Sequence, residues 1–156
     1  GIQLDYVIHA SASAATQAGL VYGARALHSA SCLSTHILGI NVFHPDPGKL
    51  SRRVERLVAQ MVERWPLASA HAADDIHVNH AYFGQAYGQP TAQCLDAIRI
   101  VAQLEGVLFD PVYSGKALAA LIDQINLGNL SNHKDVILIH TGGVAALSAY
   151  VDAFAT

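Results

Sequence analysis

The sequence predicts an α/β protein, a three-layer sandwich around a mainly parallel sheet, and three observations carry that expectation. Short runs of branched and aromatic residues alternate with segments whose apolar residues recur at three- and four-residue steps, the rhythms of a buried strand and of a helix packed on one face. The connections between these segments are short, as in βαβ crossovers, which lays the strands parallel and the helices over both faces of the sheet. The 156 residues are 52% hydrophobic and only 13% charged, enough to fill the core of a single domain over residues 1–156.

In chain order, LDYVIHA (Leu4 to Ala10) reads as the first strand. SASAATQAGL (Ser11 to Leu20) follows as a run of small and hydroxyl residues. From Thr16, Leu20, Val21, Ala24 and Leu27 mark one face of a helix. HILGINVF (His36 to Phe43) reads as a second buried strand, and PDPG (Pro45 to Gly48) as the turn that opens the next helix. In that helix Leu50, Val54, Leu57, Val58, Met61 and Val62 keep the rhythm of a packed face until Pro66 ends it. A short strand spans Ile76 to Asn79. The glycine- and tyrosine-rich loop AYFGQAYGQP (Ala81 to Pro90) comes next, and Thr91 caps a helix carrying Leu95, Ile98, Ile100 and Val101. GVLFDPVYSG (Gly106 to Gly115) is an apolar run broken at Asp110-Pro111, and a helix with Leu118, Leu121, Ile122 and Ile125 leaves from it. DVILIHTGG (Asp135 to Gly143) closes the series as a buried strand whose end turns into a final helix from Val144 to about Ala153.

Composition removes several classes of function. A net charge of −3 and a pI near 6.3 supply no basic field for nucleic acid, and Arg52, Arg53 and Arg56 sit on the polar face of a helix. Cys32 and Cys94 form no CxxC pair, which argues against a disulfide framework or zinc knuckle and fits a reduced cytoplasm. No apolar run, VILIH (Val136 to His140) included, approaches the ~20 residues of a membrane span. HVNH (His77, His80) lacks a third convergent ligand and a general-base glutamate, so no metal site is expected. No GxSxG elbow announces a serine hydrolase. With so little charge to cover the surface, part of the apolar exterior is expected to meet another chain or domain.

Ligands of open parallel sheets bind beyond the carboxyl ends of the strands. Ser11 to Thr16, Pro111 to Gly115 and His140 to Gly143 converge there, with the loop around Tyr87 beside them. The first of these turns combines hydroxyls from Ser11, Ser13 and Thr16 with the unpaired N–H groups and positive dipole end of a helix, which suits a phosphate. Taken alone, a small-residue turn from strand to helix is more often plain packing between helix and sheet.

These segments, in this order, resemble the pyridoxal-phosphate family that contains D-cysteine desulfhydrase and 1-aminocyclopropane-1-carboxylate deaminase. SASAATQAGL is similar to the family's SGSGGTQAGL loop, YFGQAYGQP to its YxGxxYGxP loop, FDPVYSGKALAALI to its DPVYxGKxMxGL segment, and VILIHTGG to its closing strand and turn. The resemblance implies part of the large domain of a fold-type-II enzyme, here a single cofactor-binding domain over residues 1–156. It implies that Ser11, Ser13, Ala14, Ala15 and Thr16 hold the phosphate of pyridoxal 5'-phosphate, largely through backbone N–H groups. Thr141 and Gly142 contribute to the cofactor site, Tyr87 and Tyr113 flank the ring and substrate, and Ser114 faces the pyridine nitrogen. Ser114 stands where the deaminases have Glu and the desulfhydrases Thr, and Thr141 where the deaminases have Leu. A hydroxyl beside the nitrogen gives a milder electron sink than a carboxylate, which suffices for β-elimination of a good leaving group and points to the desulfhydrase branch.

Two departures accompany the resemblance. Ala12, Ala14 and Ala15 replace glycines of the desulfhydrase-type loop, and Ala14 does so where both branches keep glycine; at positive φ that change costs about 1 kcal/mol or more. The family's Schiff-base lysine belongs to an N-terminal portion outside this sequence, whose only lysines are Lys49, Lys116 and Lys134. The resemblance therefore implies the cofactor-binding C-terminal part of a lyase, inactive alone, acting on a small amino acid when completed by that portion or in a homo-oligomer. The alternative is a non-catalytic binding or interaction module on the same scaffold.

Overall fold

The computed structural model describes residues 4–31, 35–66, 76–130 and 134–155. Strand β1 (Tyr6–Ser11) leads through the small-residue turn into helix α1 (Ala15–Ser31), followed by β2 (His36–Asn41), α2 (Pro47–Arg64), β3 (His77–Asn79), α3 (Ala92–Glu105), α4 (Ser114–Asn126) and β4 (Val136–Ile139). The described strands form one sheet in the order β3-β2-β1-β4. Every pairing is parallel: Tyr6 stands opposite His36 on one side and Val136 on the other, and Leu38 opposite His77. β1 therefore sits inside the sheet, and its carboxyl end is flanked by those of β2 and β4.

Side-chain alternation along β1 divides the core. Val7 points to a cluster with Ile37, Ala14 of the turn before α1, Ala18 and Val21 of α1, and Leu50, Val54 and Val58 of α2. Ile8 and Ala10 point the other way, to Ile40, Val42, Cys94, Ala97 and Ile98 of α3 and Ala117 to Ala120 of α4. Two helices thus cover each face, and both faces of the strands are apolar, as a parallel sheet between helical layers requires. The three-layer α/β fold is the one the sequence predicts.

Local chemistry sets the element ends. Asp46 caps α2 by accepting the Gly48 N–H at 2.9 Å, with Pro47 at the first helical position. Thr91 caps α3 through the Cys94 N–H, and Gly106, at φ 66°, closes it.

The closing segment departs from expectation. Residues Val144–Phe154 form a 3-10 stretch, not an α-helix, broken at Tyr150 (φ −119°, ψ 19°). None of its residues is buried, so no packed face rewards the α repeat, and helix in proteins draws most of its stability from such a face. β4 is also shorter than DVILIHTGG, its pairing with β1 ending at Ile139, and it is not the buried strand expected, since none of its residues is fully buried and Ile137 faces outward. Beyond it the His140 ring bonds the Leu108 carbonyl at 2.9 Å and the Gly142 N–H at 3.2 Å. Exposed large apolar residues occur in β4 and the two segments at its end, namely Ile137, Val107, Leu108 and Val144. Cys94 carries a free, buried thiol, which burial pushes up to about 12; Cys32 lies outside the described residues. Among the described residues no helix is long and apolar enough to cross a membrane, and no cluster of His, Cys, Asp or Glu is arranged to hold a metal ion.

Candidate active site

A cavity of about 240 Å³ opens beyond the carboxyl ends of β1 and β4, lined by Ala10, Ala12, Ser13, Thr16, Tyr113, Thr141, Gly142 and Gly143. Three turns far apart in sequence meet here because β1 lies beside β4 in the sheet and α4 packs on β1.

The first wall is the turn between β1 and α1. Ala14 is the one non-glycine residue with positive φ among the described residues, at 72°. It holds the left-handed conformation that a glycine would take freely, at a cost of roughly 1–2 kcal/mol for a residue with a β-carbon. Its methyl is buried in the α1–α2 core, which holds the residue in place. The left-handed residue folds the chain so that α1 starts immediately and its free N–H groups and dipole face the cavity, beside the exposed hydroxyls of Ser13 and Thr16. No acidic residue occupies the first turn of α1. Such a donor set fits a phosphate ester.

Beneath this turn lies Gln17, a residue the sequence motif did not single out. Gln17 is fully buried; its Oε1 accepts the Ser11 hydroxyl at 2.8 Å and its Nε2 donates to the His77 carbonyl at 2.8 Å. The amide crosses β2 exactly where Gly39 leaves room, since a β-carbon there would stand 2.2 Å from Gln17 Oε1. One side chain thus ties β1 to β3 and fixes the end of β1.

The second wall is organised by Asp110. Its carboxylate accepts the N–H groups of Val112 (2.8 Å), Tyr113 (2.7 Å) and Ser114 (2.8 Å) and the Ser114 hydroxyl (2.5 Å). These are the orphan donors that precede and open α4, so Asp110 acts as its cap and sets the direction of Tyr113. Gly143, at φ 99°, packs directly on this carboxylate, where a β-carbon would lie 2.6 Å from Oδ1.

Aromatic rings complete the rim. Phe43, after β2, meets Tyr87 edge to face at 4.8 Å, and Tyr87 meets Tyr113 at 6.0 Å. The Tyr87 and Tyr113 hydroxyls are hydrogen-bonded to each other. That bond, with burial, pushes the Tyr113 phenol up to about 12.

The sequence-predicted site residues therefore fall into two groups. Ser13, Thr16, Tyr113, Thr141 and Gly142 line the cavity, and Tyr87 reaches it through Tyr113. Ser11 spends its hydroxyl on Gln17, Ala14 turns its methyl into the core, Ala15 opens α1, and Ser114 is buried with its hydroxyl on Asp110. None of the three lysines lines the cavity. Lys49 is exposed, Lys134 pairs with Asp5 at 3.2 Å, and Lys116 is buried beneath the 81–90 loop.

Parallel strands, a helix-opening turn with unspent donors at their carboxyl ends and an aromatic rim define an α/β domain whose donor set suits a phosphate-bearing cofactor. The family model described as pyridoxal-phosphate dependent enzyme matches residues 1–142. The 1-aminocyclopropane-1-carboxylate deaminases of Burkholderia ambifaria (strain MC40-6) and Burkholderia vietnamiensis (strain G4 / LMG 22486) are each 36% identical over 154 residues, 99% of this chain and 44% of theirs. A crystal structure of an ACC deaminase homologue superposes with a TM-score of 0.81 at 27% identity, covering 98% of this chain and 44% of that one. The chain belongs to the pyridoxal-phosphate dependent enzyme family and spans less than half the length of these relatives.

Proposed function

We propose that this chain supplies the cofactor-binding part of a pyridoxal-phosphate lyase that eliminates a β-substituent from a small D-amino acid, giving a keto acid and ammonia. The observation that carries this reading is the convergence of the cradle, Tyr113 and the Thr141–Gly142 turn on one cavity. The positive φ of Ala14 favours it over a non-catalytic module, since the replacement keeps the loop in the conformation that a cradle needs.

The α1 N–H groups and the Ser13 and Thr16 hydroxyls are assigned to the cofactor phosphate, and Thr141 and Gly142 to the opposite side. The bound cofactor supplies an electron sink that acidifies the substrate α-carbon. Tyr113, pushed up to about 12, stays protonated at neutral pH and so serves as a hydrogen-bond donor or acid at its phenol oxygen, not as the resting base. Position 114 brings no carboxylate to the cavity, which supports elimination over the chemistry named for the deaminase relatives. The amine that anchors the cofactor is assigned to another segment, because no lysine of this chain lines the cavity; the chain then does not turn over alone. A homo-oligomer or that segment covers the apolar residues exposed around β4, and the cytoplasm is the expected compartment.

The test is to supply the full-length protein with pyridoxal phosphate and compare substrates. D-cysteine is expected to yield pyruvate, ammonia and sulfide, and 1-aminocyclopropane-1-carboxylate little 2-oxobutyrate. The opposite preference overturns the assignment.

A further inference from the structure

We infer that Lys116 is a positioning residue: by holding the 81–90 loop against α4, it seats the Tyr87 hydroxyl on Tyr113. Lys116 is fully buried and is the largest fully buried side chain described. An ammonium in such a place is costly unless it is held by good acceptors. Its Nζ donates to the Phe83 carbonyl at 2.6 Å and lies 5.6 Å from the centre of the Phe83 ring. Both contacts belong to the loop, and Lys116 stands one helical turn beyond Tyr113. The first turn of α4 thus presents Tyr113 at its start and grips the Tyr87 loop with its next side chain on that face.

The rest of the loop fits the same role. Gly84, at φ 81°, reverses the chain just after the gripped carbonyl, packed so closely that a β-carbon would lie 2.8 Å from the Thr91 methyl. The Tyr82 hydroxyl donates to Asp123 on α4 at 2.5 Å, and the Gly88 carbonyl accepts the Tyr150 hydroxyl at 2.8 Å. Tyr87 therefore lies between two anchored points, with Lys116 holding the one nearer α4. Simple filling of this space would be met by an unbranched apolar side chain, which buries without desolvating a charge. An ammonium is explained by the carbonyl it binds. Burial pushes the Lys116 amine down, opposed by the neighbouring Cys94 and Asp110. The groups facing the Tyr113 phenol are Tyr87 from the loop, Asp110 beneath the turn and Tyr150 from the 3-10 stretch.

The use of Tyr113 as donor or acid rests on the proposed lyase reading, whereas the seating of the two phenols does not. The test is NMR titration of ζ-carbon-labelled tyrosine in the full-length protein, with the Tyr113→Phe spectrum identifying the Tyr113 signal. Lys116→Met keeps the unbranched stem to Cε without a donor, and Lys116→Gln, like Met one bond shorter than lysine, keeps a donor that falls short of the carbonyl. Each is expected to lower the Tyr113 ionisation by about one pH unit, a tenfold change in its constant. In a Tyr87→Phe background neither should lower it further. A folded variant with Tyr113 unmoved, or an equal shift without the Tyr87 hydroxyl, overturns the inference. Absence of D-cysteine turnover with the titration shift intact overturns the lyase reading alone.

Discussion

Two polar turns open helices at the same end of the sheet, and they treat their donors in opposite ways. The 11–16 turn leaves the N–H groups of α1 and the Ser13 and Thr16 hydroxyls facing a cavity. The 110–114 turn spends three N–H groups and the Ser114 hydroxyl on the single buried carboxylate of Asp110. An internal anion already occupies the place that a ligand anion would take at α4. The difference shows why similar hydroxyl-rich sequences leave donors open to a cavity in one case and build a rigid plinth for Tyr113 in the other.

The largest effect is expected from abolishing the internal anion. Asp110→Ala strips four donors of their acceptor and should cost about 3 kcal/mol or more by chemical denaturation, since hydrogen bonds to charged groups contribute about 1.5–3 kcal/mol each but not additively. Gln17→Leu loosens the first turn from below, leaving the Ser11 hydroxyl and His77 carbonyl without their partner, and should cost about 2 kcal/mol by the same measurement. Gly143→Ala joins the two turns in one clash, at positive φ and against Asp110, and should cost about 2 kcal/mol.

A smaller effect comes from His9, buried on β1 beneath the first turn, its Nδ1–H donating to the Ala10 carbonyl at 2.9 Å and its Nε2 without a hydrogen-bond partner. Desolvation lowers its folded pKa. The unfolded chain takes up a proton below the ordinary value of about 6.5 that the folded chain refuses, so stability should fall as pH drops below that point, by at most about 1.4 kcal/mol per unit from this group. His9→Gln should flatten that slope in urea titrations from pH 7 to 5. The smallest change is Ala14→Gly, which removes the left-handed strain and should stabilise the fold by about 1 kcal/mol or less.

Much of this was legible in the sequence, and its gaps have physical causes. The alternation of Val7 and Ile8 to opposite cores follows from the apolar run in LDYVIHA, and the caps at Asp46 and Thr91 from their side chains. Gln17 was not legible, because its burial depends on β3 arriving from 60 positions away. Asp110-Pro111 reads as a chain break, and nothing local tells that the carboxylate folds back on three following N–H groups. That same fold-back turns the Ser114 hydroxyl onto Asp110, which the residue's place in the motif does not reveal. The closing segment has a helical composition but no buried face, and composition alone does not say so.

The contrast between the turns is tested most directly by titrating the full-length protein with pyridoxal phosphate and following the phosphorus NMR signal. Combining Ser13→Ala with Thr16→Val should weaken binding tenfold or more, about 1.4 kcal/mol, while Ser114→Ala should leave affinity within about threefold. Weakening by Ser114→Ala as large as that of the Ser13 and Thr16 pair, or binding that the pair of substitutions leaves untouched, would contradict the assignment of the phosphate to the 11–16 turn.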